Sequence, residues 1–240
     1  MFVFWRLLLA HFIADFPIQT NKIYFLKTKY PWGSFLHSGI FIATSALLLW
    51  PLWNRPDFWL FLLFLFISHG VQDLLKIIYN RNNSHDTIWL FLLDQFFHIA
   101  FISTVFLLPI SIFKYVVDQG AWFYWYSQDK PVIYLTFLVG IGFGGSILIP
   151  YVEKLVKHLP QVEIPPKYKY SGILERILVI TLVSAPGYWY IFTPVVFLVR
   201  FFSRETYSTV SVVVSVLSAV AGGIILRNME LFFYFGSLNI

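Results

Sequence analysis

The sequence predicts an all-α, polytopic transmembrane helix bundle of seven or eight spans. Three observations carry this. Hydrophobic residues make up 58% of the 240-residue chain and charged residues only 12%, about half the charged fraction of a soluble domain. Many apolar runs approach the ~20 residues that cross a bilayer. The 27 Phe and 9 Trp suit lipid-facing and interfacial positions. There is no cysteine, so disulfides and thiolate chemistry are excluded. The net charge of +5 is spread over loops; it fits a basic face beside anionic lipid and not a nucleic-acid partner.

In chain order, a first span is expected over 2–16, ending near Pro17. It shows no signal-peptide cleavage pattern and reads as a mature helix. A loop over 18–34 carries Lys22, Lys27 and Lys29. The second span is expected over 35–53, opening near His37, and the third over 57–79 after the turn cluster Asn54-Arg55-Pro56-Asp57. A polar hairpin at 80–84 follows. The fourth span, capped by Asp86, reaches Pro109. Residues 110–117 read as a short interfacial helix, and Trp122, Tyr124, Trp125 and Tyr126 as an interface belt. The fifth span, 131–151, contains Gly140, Gly142, Gly144 and Gly145, which permit close helix contact. A polar connection over 153–170 contains Pro165-Pro166. The sixth span begins near Ser171 and meets a break at Pro186-Gly187. A shorter helix over 190–202 and a last span over 206–226 complete the chain. The expected organisation is a four-helix half (1–109), an interfacial connection (110–130) and a second helical half (131–240).

Three motifs stand out: His11-x-x-x-Asp15, His69-x-x-x-Asp73 and Asp94-x-x-x-His98. Residues four apart share a helix face. The reversed order of the third restores register if its helix runs against the other two. Three histidines then share one level and three aspartates the next. Such groups cost several kcal/mol in hydrocarbon unless they pair or bind something. The set suits Zn²⁺, Mn²⁺ or Fe, with His11, Asp15, His69, Asp73, Asp94 and His98 as ligands and zinc or manganese as the expected cofactor. The bland alternative is a hydrogen-bond network that fixes helix packing.

His37 is placed to join as a ligand or base. Lys76 shares the face of His69 and Asp73. It could neutralise Asp73, hold a substrate phosphate or snorkel to headgroups. Gln72 and Gln95 point away from their neighbouring aspartates and need other partners. Glu175 and Arg176 open the sixth span; Arg176 is expected to meet an aspartate or a lipid phosphate, and Glu175 to serve as ligand or acid/base. His85, His158, Asp118, Asp129, Glu163 and Glu230 read as solvated.

Loop charges favour an outside N-terminus, since Lys22, Lys27, Lys29, Arg81, Lys154, Lys157, Lys167, Lys169 and Arg204 then lie inside. The motifs would lie toward the cytoplasmic side.

The run Leu9-Ala10-His11-Phe12-Ile13-Ala14-Asp15-Phe16-Pro17-Ile18-Gln19 resembles the opening of a bacterial integral-membrane family catalogued as domain of unknown function 3307. Ser68–Lys76 and Leu93–His98 are similar to its second and third motifs, and Gly172–Arg176 to a later segment. One departure is Glu205-Thr206-Tyr207, where the family often has an adjacent Glu-Tyr pair. The resemblance implies a polar cluster but no activity. The expected function is an intramembrane metal-dependent enzyme, a hydrolase acting on a lipid or lipid-linked phosphate, with Lys76 and Arg176 holding the anion. The alternatives are a proton- or ion-coupled transporter or flippase using the same residues, and a non-catalytic membrane scaffold. Membrane lipid is the expected partner.

Overall fold

The structure, a computed structural model, describes residues 1–83, 87–114, 126–157, 166–202 and 208–236. Its described residues are helical and contain no strand. There are nine α-helices among them: α1 (Phe2–Asp15), α2 (Asn21–Lys29), α3 (Pro31–Leu48), α4 (Pro56–Asn83), α5 (Ile88–Ser103), α6 (Asp129–Lys157), α7 (Pro166–Ser184), α8 (Thr193–Phe202) and α9 (Thr209–Gly236). They fall into two compact units, Met1–Thr136 and Phe137–Ile240.

Among the described residues, four stretches are long and apolar enough to cross a membrane: Pro56–Arg81, Ile88–Leu107, Asp129–Lys157 and Thr209–Met229. The expected seven or eight spans are therefore not supported. The reasons lie in the other helices. At 1.5 Å per residue, α1 reaches only about 21 Å and α8 about 15 Å, short of a ~30 Å hydrocarbon core. Buried polar residues on α3 (Ser34, His37, Ser38 and Ser45) dilute its apolar character. Lys167, Lys169, Glu175 and Arg176 interrupt α7.

Helix α1 is the centre of the first unit. Phe2, Val3, Leu7, Ala10 and Ala14 join a core with Phe41 of α3, Phe58, Phe61, Leu62 and Leu65 of α4, and Ile102 of α5. Pro17 follows its C-cap, Phe16, and cannot continue the helix. The expected loop over 18–34 is largely helical. The Thr20 side chain accepts a hydrogen bond from the Ile23 amide and starts α2. Pro31 then opens α3 four residues earlier than expected. At Gly33 a Cβ would collide with the Leu26 carbonyl, so the α2–α3 corner closes only with glycine there.

Residues 80–83 of the expected hairpin are likewise the last turn of α4, which runs on to Asn83; Ser84 lies outside the described residues. Thr87, and not Asp86, caps α5 by accepting from the Leu90 amide. After Ser103 the chain tightens into 3₁₀ turns over Thr104–Leu107 and Pro109–Ile112. Of the expected interface belt, Trp122, Tyr124 and Trp125 lie outside the described residues, as do His85, Asp86, Asp118, His158, Glu163, Arg204 and Glu205. Tyr126 is described, and its hydroxyl donates to the Leu48 carbonyl.

In the second unit, much of the expected polar connection is helix: α6 continues to Lys157 and α7 begins at Pro166. Helices α7 and α9 pack along small residues. A Cβ at Gly223 would stand 2.6 Å from Val183 Cβ, so glycine sets how closely these backbones approach. The expected break holds: α7 stops at Ser184, and Gly187 takes φ +85°, where glycine is favoured.

Candidate functional site

The three motifs converge in the first unit. On α1, α4 and α5, His11, His69 and His98 are all buried. Their ring centroids lie 5.0 Å apart for His11–His98, 4.1 Å for His69–His98 and 5.6 Å for His11–His69. His37 of α3 joins them, 5.3 Å from His69. The carboxylates of Asp15, Asp73 and Asp94 are buried beside the rings. His37 Nε2 donates to Asp15 Oδ1 at 3.1 Å. His69 Nε2 stands 3.5 Å from Asp73 Oδ2 and 3.8 Å from Asp15 Oδ1. The reversed third motif is what lets α5 bring its imidazole to the other imidazoles and its carboxylate to Asp73.

The glutamines find the partners that their helix positions required. Gln95 Nε2 donates to Asp15 Oδ2 at 3.3 Å. Gln72 Nε2 donates to the Asp94 carbonyl at 2.6 Å and lies 3.0 Å from His98 Nδ1. His98 Nδ1 is also 2.8 Å from the Asp94 carbonyl. The carbonyl would take a hydrogen from Nδ1 and the Gln72 amide would give one to it, so these two contacts call for opposite tautomers of His98.

Two lysines close the cluster. Lys76 Nζ pairs with Asp94 Oδ2 at 2.8 Å, a different aspartate from the one its own helix presents. Lys27 Nζ, from α2, pairs with Asp73 Oδ1 at 2.6 Å. Burial by itself would lower the Lys27 pKa, but the charges of Asp73 and then Asp15 outweigh it and raise it above the ordinary 10.5. Sequence reading counted Lys27 as a loop charge. Only the fold of α2 onto α3 brings it here, and its spacing to the three motifs carries no signal.

Arg6 was also missed. It is 1% exposed, and its guanidinium donates to the Phe2 carbonyl at 2.9 Å, Asp129 Oδ1 at 3.0 Å and the Gln128 carbonyl at 3.2 Å, and to the Tyr126 carbonyl. Asp129, expected to be solvated, is thus an ion-pair partner, with the N-terminal amine 3.6 Å from its other oxygen.

Glu175 and Arg176 are buried in the second unit. Arg176 donates to the Gly142 carbonyl (Nε 3.0 Å, Nη2 2.7 Å), Ser146 Oγ at 2.5 Å and Ser215 Oγ at 3.3 Å. Ser215 Oγ in turn donates to Glu175 Oε1 at 3.4 Å. Arg176 thus ties α7 to α6 and α9. The glycines of α6 make room for it: a Cβ at Gly145 would stand 2.7 Å from Arg176 Nε.

The donor set fits a divalent cation. Three overlapping trios, His11–Asp15–His69, His37–His69–Asp73 and Asp73–Asp94–His98, each offer ligand atoms within 4.8 Å of one another. Acidic clusters alone would say little. Here, however, both ring nitrogens of His11, Nε2 of His69 and Nε2 of His98 are buried with no hydrogen-bond partner. Orphaned buried nitrogens are uncommon because each costs about 1–3 kcal/mol, and a metal would satisfy the lone-pair nitrogen of each ring.

Fold and site together define an all-helical membrane protein with a buried His/Asp cluster on its N-terminal helices. The family model described as "Protein of unknown function (DUF3307)" matches residues 3–124, and the chain belongs to that family. No curated protein and no solved structure matches it.

Proposed function

We propose that the chain is an intramembrane metal-dependent enzyme, a hydrolase that acts on a lipid or lipid-linked phosphate. The observation that carries this reading is the set of unpartnered buried imidazole nitrogens facing three buried carboxylates. His11, His69 and His98, with Asp15, Asp73 and Asp94, would hold zinc or manganese. When bound, such an ion lowers the pKa of water and polarises a phosphoryl oxygen. The chain's own groups do the rest. His37 has its Nε2 hydrogen directed at Asp15, which leaves Nδ1, unpartnered, to take a proton. Lys76 beside Asp94 supplies positive charge for a phosphate. The four apolar helices supply the lipid setting. A bacterial cytoplasmic membrane belongs to this reading; an outside N-terminus with the cluster near the inner headgroups goes with it only if α1 and α3 cross as well, because the loop lysines and arginines share one side on that count alone.

Metal analysis of the purified chain tests the reading. Stoichiometric zinc or manganese is expected, and it should fall below half occupancy in His69→Ala and His98→Ala proteins that still elute as a single species. Wild-type protein that takes up neither metal after dialysis against both would refute it.

A proton- or ion-coupled transporter or flippase is the second reading, favoured by the part-buried pairs Lys27–Asp73 and Lys76–Asp94, which resemble the charge relays of pumps. It predicts pH-dependent flux in proteoliposomes that Asp73→Asn abolishes.

A further inference from the structure

The carboxylates of the cluster bring their own cations, and the charge balance constrains what else can bind. Metal-ligating histidines are neutral. Asp73 and Asp94 pair with Lys27 and Lys76, and Asp15 lies against neutral His37, so three carboxylates against two ammoniums leave one net negative charge. A divalent cation by itself would convert that to one net positive charge, and buried uncompensated charge is costly. We propose that the cluster takes up a divalent cation and a phosphate group as a pair, with Lys27 the residue that meets the phosphate. The inference rests on the metal reading above and adds to its phosphate a coupling to the metal and a further residue, Lys27.

Three features of the geometry lead there. First, Asp73 belongs to two of the three ligand trios, yet its Oδ1 lies 2.6 Å from Lys27 Nζ. Ammonium and metal therefore draw on one carboxylate and repel each other; a phosphate offers oxygen to both. Second, the charged groups are layered. The Asp73 and Asp94 side chains are 1% and 7% exposed, whereas those of Lys27 and Lys76 are 12% and 21% exposed. The lysine side chains thus lie less deep than the carboxylates they pair with. Third, Lys27 is held there. Helix α2 has no buried residue and leaves Tyr24 and Phe25 half exposed, as a helix at a membrane surface does. Arg81 of α4 fixes its C-terminal end through the carbonyls of Thr28 and Lys29.

A phosphate could come from a lipid headgroup or from free phosphate, and the test separates them. Mn²⁺ binding to the full chain in maltoside micelles is followed through the EPR signal of free Mn²⁺. It is measured without phosphate, with inorganic phosphate, and with phosphatidic acid in the micelle. Wild-type affinity is expected to rise about tenfold with phosphate. A response to phosphatidic acid alone assigns the group to a lipid; a response to inorganic phosphate shows that the headgroup suffices. Lys27→Met should bind Mn²⁺ about tenfold more tightly than wild type without phosphate, because a like charge is gone, and should lose the phosphate response. Lys27→Arg should keep it. Mn²⁺ binding that neither phosphate source changes, or weaker binding by Lys27→Met, overturns the pairing and leaves the metal reading standing. No Mn²⁺ uptake by wild type or variants in any arm overturns the pairing, and together with no zinc uptake on dialysis it overturns the metal reading too.

Discussion

The rings of His69 and His98 lie 4.1 Å apart, centroid to centroid, although 28 residues and a helix reversal separate them in the chain. Neither Nε2 has a hydrogen-bond partner. Substituting His98 with Gln keeps a polar group of similar size but moves the donor atom and removes the imidazole lone pair. His98→Gln is expected to lower metal affinity by at least about tenfold while thermal unfolding shifts little. Equal affinity would mean that His98 serves packing only.

Lys76 and Asp94 form the second ion pair of the site. Removing Lys76 leaves a buried carboxylate without its cation, so Lys76→Met is expected to cost about 3 kcal/mol, the low end for buried pairs because Lys76 is one-fifth exposed. Asp94→Asn in the Lys76→Met background should restore part of that loss. A double-mutant cycle in denaturant reads the coupling, and additive losses would show the two groups to be independent.

Lys27 gives a pH dependence. Its pKa is raised in the fold, so its contribution to stability is fully present below the unfolded value near 10.5 and is lost as pH rises through the higher folded value. The stability difference between wild type and Lys27→Met should accordingly be constant from pH 7 to about 10 and shrink only above ~10.5. A difference already fading near pH 8 would contradict the Lys27–Asp73 pair.

Two glycines make a matched test of packing. At Gly223 a Cβ would stand 2.6 Å from the branched Val183 Cβ, which has no rotamer to retreat into. Gly223→Ala should destabilise the protein by about 1–3 kcal/mol. At Gly39 of α3 the nearest atom, Phe66 Cε2, is 4.0 Å away, so Gly39→Ala should stabilise it by about 0.5 kcal/mol through helix propensity. Thermal unfolding in detergent compares them.

Arg6 holds the start of α6 to the start of α1 through Asp129 and the backbone carbonyls of Tyr126 and Gln128. Arg6→Met is expected to cost about 3 kcal/mol by stranding those acceptors. Arg6→Lys should recover little, since an ammonium lacks the fork that spans them. Proteolysis within 126–130 would report the loss: rapid cleavage in Arg6→Met and slow cleavage in wild type.

The amino-acid pattern alone settled the all-helical class, the membrane character and the face shared by each His/Asp pair, because helical periodicity and hydropathy are local properties. It also showed that the reversed third motif keeps register if its helix runs against the other two, since register follows from spacing. Which apolar helices span was a different matter. Length is local, but α1 is apolar because it is the centre of a core, and a buried core helix and a lipid-facing helix read alike. The cations of the site were decided only in three dimensions. Lys27 reaches Asp73 across 46 residues of sequence because Gly33 lets α2 fold tightly on α3, and Arg6 reaches Asp129 across 123. Opposite charges attract through space, and nothing in the order of residues along a chain states which of them the packing of helices will bring within 3 Å.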